Sequence, residues 1–365
     1  MERNALPASE NDASARLITA RLNDSLLGLE RNGSSTAKAD EFQAFLSRPG
    51  TLKRASHIVR CRFDGNSIEI DVVVDKPYSR RRVADGLQPC LKRIRKGLKG
   101  AFDVFILISD MIYVEEDARA EYLRFLAHVP FLRCDWLEND PISSNALIMP
   151  DLWLQEDVYG SEIKVIDDLA SVVPFKQRQS IVKWRGGLSG PGYPDIDNCR
   201  GFPRYHLLLQ SLRHPDIVDA RLTHYENIPA TPAGDALQAQ LNDWFGGVAP
   251  FVPIEDFTAY KYLVSFDGVA ASWKRVATIL WTGSVLLLQH QWQQFFYPGL
   301  TEWEHYVPIA DDASDLPDRF EWLETNPGRA EAIAEAGRSF ARQNLTQSAV
   351  DRYMCDLLNR CSQLL

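Results

Sequence analysis

The run 260–275, YKYLVSFDGVAASWKR, sets an apolar, strand-forming segment before Asp267-Gly268, then Val269-Ala270-Ala271-Ser272, then the cations Lys274 and Arg275. A strand that turns at a glycine into the first turn of a helix leaves backbone N–H groups unpaired at the positive end of the helix dipole. Gly268 permits the tight turn, Ala270 and Ala271 let a ligand approach the backbone, and Lys274 adds a mobile positive charge. The chemistry suited to this order is the holding of an anion, above all a diphosphate, with no metal bridging it. Any βαβ turn carries a glycine and small residues, so a purely structural turn stays open on the pattern alone.

A second strand end has the same character. Trp184-Arg185-Gly186-Gly187 closes an apolar run, and Arg204 lies on the helix that follows, where a guanidinium can grip a phosphate through two parallel hydrogen bonds. Asp110 ends the apolar run 102–109, which places a carboxylate at the carboxyl end of a buried strand, the edge where open α/β sheets bind ligands. The plainer role for Asp110 is to cap the helix expected over 115–125. Asp195-Ile196-Asp197 has a spacing able to hold a divalent cation on a diphosphate, but its Pro-, Gly- and Asn-rich surroundings favour aspartate for turns, and no metal is expected. Gly187-Leu188-Ser189-Gly190 lacks the spacing of a nucleophile elbow, and the seven histidines show no HExxH-type spacing. Six scattered cysteines without a CxxC pair are expected to be reduced and structural.

These residues need elements to position them. Helices are expected over 14–30 and 39–47, then strands over 56–63 and 67–74 joined by Asp64-Gly65-Asn66. Val83, Leu87, Leu91, Ile94 and Leu98 recur at spacings of three and four, giving a helix over 80–99 with one buried stripe. Its other face carries Lys92, Arg93, Arg95, Lys96 and Lys99, which is either a solvated surface or a face drawn to anionic lipid or a phosphorylated acceptor. From Ile181 onward the order is strand, loop, helix, strand. A βαβ unit follows, built from a strand over 260–266, a helix over 270–282 stopped by Gly283 and a strand over 284–289. The tail from Gly328 forms two helices parted near Leu345. The fold class is α/β in two halves, expected as a first domain over 1–172 carrying Asp110, a second over 173–345 carrying the glycine-lined strand ends, and a C-terminal helix over 346–365 crossing back onto the first.

Composition sets outer limits. A chain of 365 residues, 45% hydrophobic and 24% charged, can bury two cores. The net charge of −9 argues against a general nucleic-acid binder, so any phosphate must meet a local basic site. The start, MERNALPASENDASARL, lacks the apolar core of a signal peptide, and no apolar run is long enough to span a bilayer. The expectation is a cytoplasmic protein with peripheral contact at the inner membrane face through the helix over 80–99. Asn344-Leu345-Thr346 is then a chance match to a glycosylation acceptor.

The motifs WRG at 184–186, HPDIVDA at 214–220, YKYLVSFDGVAAS at 260–272, FFYPGL at 295–300, WEHYVPI at 303–309 and AEAGRSFARQNL at 334–345 together resemble glycosyltransferase family 90. That family includes Rumi-type protein O-glucosyltransferases, capsule xylosyltransferases and bacterial lipopolysaccharide-modifying enzymes. The resemblance is dense from Trp184 to the C-terminus and slight before residue 100. It implies a GT-B-like arrangement of two Rossmann-like domains facing a cleft, and inverting, metal-independent transfer of glucose or xylose from a UDP-sugar. It places Gly187, Arg204, Val269, Ala270, Ala271, Ser272, Trp273 and Lys274 on donor-binding positions and Asp110 on the catalytic aspartate. Should Asp110 not be the base, Asp135 and Glu138 are the next candidates. Lys274 stands where the family pattern has arginine, keeping the charge but not the two-pronged geometry. The segment 151–173 does not match the stretch with which protein-glycosylating members hold a folded acceptor. A glycan, lipid-linked or lipopolysaccharide precursor is therefore the expected acceptor, a protein hydroxyl the alternative, and a catalytically silent nucleotide-sugar-binding protein the reading from a different class.

Overall fold

A computed structural model of the protein describes residues 35–52, 57–73, 77–137, 140, 146–226 and 228–363. The chain divides into two units. One combines 1–157, 294–301 and 343–365; the other combines 158–293 and 302–342. The helix expected over 14–30 lies outside the described residues.

The first unit opens with helix α1 (Thr36–Leu46), whose N-cap Ser35 accepts a hydrogen bond from the Lys38 N–H and whose Phe42 and Phe45 are buried. Strands β1 (Ile58–Phe63) and β2 (Ile68–Val72) form the expected antiparallel hairpin, in register Phe63 to Ile68 and Val59 to Val72. The Asp64 carboxylate builds the turn by accepting from the Asn66 and Ser67 N–H groups, both at 2.7 Å. With β3 (Phe102–Leu107), β4 (Phe131–Arg133) and β5 (Leu147–Ile148) they make a five-stranded sheet in the order β2-β1-β3-β4-β5. Pairing is antiparallel at β1–β3 and parallel at β3–β4 and β4–β5, so this half is a mixed sheet. All six β3 residues are buried, as expected of a central strand covered on both faces.

The stripe read from the sequence does form a helix, α2, continuous over 77–94 but with a π turn at Val83–Leu87, where the Gln88 N–H reaches back to the Val83 carbonyl. Gly86 falls in that turn because the chain passes close by: a Cβ there would lie 2.6 Å from the Leu152 carbonyl oxygen. Helix α3 (Glu116–Leu126) follows β3. The C-terminal helix α10 (Gln347–Cys361) seats Met354, Leu357, Leu358 and Cys361 in the same core as Val83, Leu87, Leu91 and Ile94. Arg93 fastens it, donating to both Asp351 oxygens at 2.8 and 2.9 Å. The C-terminal helix thus returns to the first unit, and one residue of the basic face serves that return.

The second unit is a parallel sheet wrapped by helices. In chain order it runs α4 (Tyr159–Val172), β6 (Gln179–Gly187), α5 (Pro203–Arg213), β7 (Val218–His224), α6 (Pro232–Phe245), β8 (Tyr260–Phe266), α7 (Trp273–Trp281), β9 (Val285–Gln289), β10 (Val307–Pro308), α8 (Leu316–Thr325) and α9 (Pro327–Asn344). The strand order is β10-β9-β8-β6-β7, every neighbour parallel. β8 and β9 are nearly continuous apolar runs because both faces are covered. Gly283 ends the α7 segment in the left-handed region, φ 64°, as its glycine requires.

Helix α4 falls in the second unit, whereas the sequence reading drew its boundary at 172/173. The reason lies in polar contacts made by distant residues. Asp167 on α4 accepts from Arg338 at 2.9 Å, Glu162 pairs with Lys274, and Arg178 spans from the Ala170 carbonyl to the Thr282 carbonyl. Among the described residues no helix is long and apolar enough to cross a membrane.

Candidate functional site

β6 is the first strand of its sheet. Its successor β7 lies on one side and β8 on the other, so the chain changes direction across the sheet between β6 and β8. Ligands of open α/β sheets bind at such a switch point, outside the carboxyl ends of the strands. Here those ends are Gly186-Gly187 and Phe266-Asp267-Gly268, the two stretches singled out from the sequence.

Arg204 joins them. Pro203 starts α5, so Arg204 sits in the first turn, 8% exposed, and reaches across the sheet edge. Its Nη1 donates to the Gly187 carbonyl (3.1 Å) and the Ser189 hydroxyl (2.7 Å); Nε and Nη2 donate to the Phe266 carbonyl at 3.3 and 3.2 Å, and Nη2 also to the Ser272 hydroxyl at 3.2 Å. Ser272 in turn donates to the Phe266 carbonyl at 2.5 Å. The sequence suggests a guanidinium gripping phosphate through two parallel hydrogen bonds. In the structure the fork holds the two glycine-bearing strand ends at a fixed spacing.

The glycines leave room at this edge. A Cβ on Gly268 would collide with the Ser189 Oγ and lie 3.0 Å from Arg204 Nη2, while one on Gly187 would lie 2.7 Å from His224 Nε2 and 2.8 Å from Glu226 Oε2. Glu226 Oε2 also stands 3.6 Å from Arg204 Nη1. The helix expected from Ala270 begins at Trp273 instead, because the Gly268 N–H turns back to the Ala270 carbonyl at 3.0 Å and keeps Val269–Ser272 as a loop. Ala270, Ala271, Ser272 and Trp273 are buried and Val269 is half-buried at this loop.

Lys274 and Arg275 diverge. Lys274 Nζ lies 2.7 Å from Glu162 Oε2 on α4, whereas Arg275 Nη1 donates to the Arg185 carbonyl at 2.8 Å, at the end of β6. Burial, and then the neighbouring charge of Arg204, push the Arg275 pKa down to about 10, with Glu226 pulling the other way. Asp267 acts as a clasp: its carboxylate accepts from the Gln291 and Trp292 N–H groups at 2.7 and 2.9 Å, and its own N–H donates to Gln289. That ties the end of β8 to the end of β9.

Asp110 belongs to the other unit. It is exposed three residues beyond β3, where its carbonyl accepts from Arg133 at 3.4 Å. Asp135, the next candidate base, is buried and pairs with Arg133 at 2.6 Å. Glu138 lies outside the described residues. Asp195 spends one carboxylate oxygen on the Asp197 and Asn198 N–H groups at 2.9 and 2.8 Å, the turn its surroundings favour. Of the basic face on α2 and just beyond it, Lys92, Arg95, Lys96 and Lys99 are exposed.

Sequence reasoning missed Ser189 and Glu226 as parts of this edge and named Arg275 only within the anion-holding run, without a donor-binding role. Only Arg275 carried a signal, as the second cation of the SWKR run.

The chain matches the family described as Glycosyl transferase family 90 over residues 147–365, more than half its length. It belongs to that family. Human Protein O-glucosyltransferase 1 is 30% identical over 193 residues, covering 53% of this chain and 44% of that protein. The O-glucosyltransferase rumi of Drosophila melanogaster is 29% identical over 202 residues, covering 55% and 44%. The chain thus spans less than half the length of these relatives. Among solved structures, Anabaena Alr3699/HepE in complex with UDP and glucose aligns with 53% of this chain and 51% of that one, at 12% identity and a TM-score of 0.36, too low to bear on the reading below.

Proposed function

We propose that this family 90 member transfers glucose or xylose from UDP to a hydroxyl of a glycan, lipid-linked or lipopolysaccharide precursor, with inversion and without a metal. The observation that carries the reading is the switch point between β6 and β8, where two glycine-lined strand ends, the first turn of α7 and the cations Arg204 and Arg275 meet. Fixed backbone dipoles and cations aimed at a departing diphosphate stabilise the charge that develops as the sugar leaves. They supply what a divalent ion brings to other nucleotide-sugar enzymes.

Asp110 is the general base of this proposal. An acceptor hydroxyl is a weak nucleophile at neutral pH, and inversion requires proton removal as the bond forms. An exposed carboxylate just past a buried central strand suits that task. A protein hydroxyl is the second acceptor, favoured by the names of the curated relatives. The exposed lysines of 92–99 support a peripheral, anionic membrane setting for a lipid-linked acceptor.

The test is a thermal-shift screen of UDP-sugars with and without EDTA, followed by mass spectrometry of glycan, lipid-linked and peptide acceptors. Stabilisation by UDP-glucose or UDP-xylose that survives EDTA, with a glycosylated product, is the expected result. Manganese-dependent activity would overturn metal independence, and binding with no product from any acceptor would favour the silent binding protein.

A further inference from the structure

The first turn of α7 holds Lys274 and Arg275 and no acid. Cations at a helix N-terminus face the positive end of the dipole, an unfavourable placement unless an anion joins them. Lys274 has its anion in Glu162, at 2.7 Å. Arg275 has none: it is half-buried, no carboxylate of the described residues lies within ion-pair distance of it, and the strongest charge acting on it is the buried cation Arg204, with Glu226 opposing. A half-buried guanidinium set beside another cation and away from any carboxylate is suited to an incoming anion.

Its placement is held from two sides. Nη1 donates to the Arg185 carbonyl, and the guanidinium carbon lies 5.7 Å from the centre of the Trp184 ring. Gly186 makes room, since a Cβ there would come 3.2 Å from Arg275 Nη2 and 2.7 Å from the Trp184 ring. Nε and Nη2 donate to no protein acceptor among the described residues. A braced guanidinium with a free edge at the end of β6 is a preorganised anion donor.

We propose that Arg275, not Lys274, is the side chain that meets the outer phosphate of the nucleotide diphosphate. The lysine at the family's arginine position is spent on joining α7 to α4, and the arginine one place later restores the two-pronged contact from the neighbouring direction. This rests on the UDP-sugar reading above.

Calorimetric titration of the parent protein, Arg275→Met and Lys274→Met with UDP, UMP and uridine tests it. Arg275→Met is expected to weaken UDP by about ten- to a hundredfold, the loss of a charge-assisted contact, with uridine affinity within about twofold of the parent. Lys274→Met should hold UDP within about threefold. Equal UDP-to-UMP preference in Arg275→Met and parent, or a larger loss in Lys274→Met, would overturn the assignment. Should Arg275→Met lose the parent's circular-dichroism spectrum, Arg275→Lys decides: a several-fold drop in UDP-to-UMP preference supports the proposal, and an unchanged preference sinks it. A parent protein that binds none of the three ligands would sink the UDP-sugar reading itself, a distinct outcome.

Discussion

Lys274 and Glu162 lie 112 residues apart in sequence and 2.7 Å apart in space, a single ion pair that pins α7 to α4. Both side chains are about one-third exposed, so solvent screens the pair. A double-mutant cycle with Lys274→Met and Glu162→Gln should give a coupling of about 0.2–1 kcal/mol by chemical denaturation, shrinking in high salt. A coupling of zero would make the pair a surface coincidence.

Arg204→Ala should cost more and do so twice over. It strips a donor from the buried Gly187 carbonyl, worth about 1–3 kcal/mol if left without a partner, and leaves the Phe266 carbonyl with Ser272 as its side-chain donor. The expected result is a melting temperature several degrees lower and loss of most of the UDP-induced shift, which for the parent is about 2.7 kcal/mol at a hundred dissociation constants of free ligand. A variant that melts lower yet keeps the full UDP shift would restrict Arg204 to a purely structural role.

Acid should weaken the edge of the second sheet through Asp219. Burial raises its pKa, but hydrogen bonds from Arg185 and Lys183 outweigh that and leave the carboxyl below its usual value. A carboxylate whose folded pKa is depressed adds stability above the unfolded pKa of about 3.9 and loses it as pH falls further. Asp219→Asn should therefore be less stable than the parent at pH 7, with the gap closing below about pH 4. A gap that stays constant across that range would show that the carboxylate's charge is not the cause.

Asp110→Asn should lower transfer by about a hundred- to ten-thousandfold while leaving UDP stabilisation and melting temperature near those of the parent, because the amide keeps shape but not basicity. Product quantified by mass spectrometry against time is the measurement. Transfer within a few-fold of the parent would move the base elsewhere.

The elements around the site were legible wherever periodicity carried them. The stripe of Val83, Leu87, Leu91 and Ile94 is buried as its spacing requires, and β8 keeps the predicted ends Tyr260 and Phe266. The two glycine-bearing strand ends were legible as the carboxyl ends of neighbouring strands because an apolar run that stops at glycine before a helix marks such a turn. Side-chain direction was not. Lys274 and Arg275 are adjacent on one helix, about 100° apart around its axis, and which of them turns toward β6 depends on Glu162, a residue no local pattern links to them. Arg204 was found by type and position, but its role depends on carbonyls whose places exist only once the sheet has formed. The π turn in α2 was hidden for the same reason, since Gly86 answers to Leu152.

The return of α10 to the first unit reverses the order in which the two halves can be completed during synthesis. Residues 158–342 supply the whole of the second unit as one stretch, interrupted only at 294–301. The first unit emerges earlier, yet its core lacks Met354, Leu357 and Leu358 until the last helix is made, and the Arg93–Asp351 link closes a loop of 258 residues. Closure of so long a loop is slow, and folding of the second unit beforehand shortens the chain that must be searched. The half synthesised first thus completes its core only once α10 packs against Val83, Leu87 and Leu91.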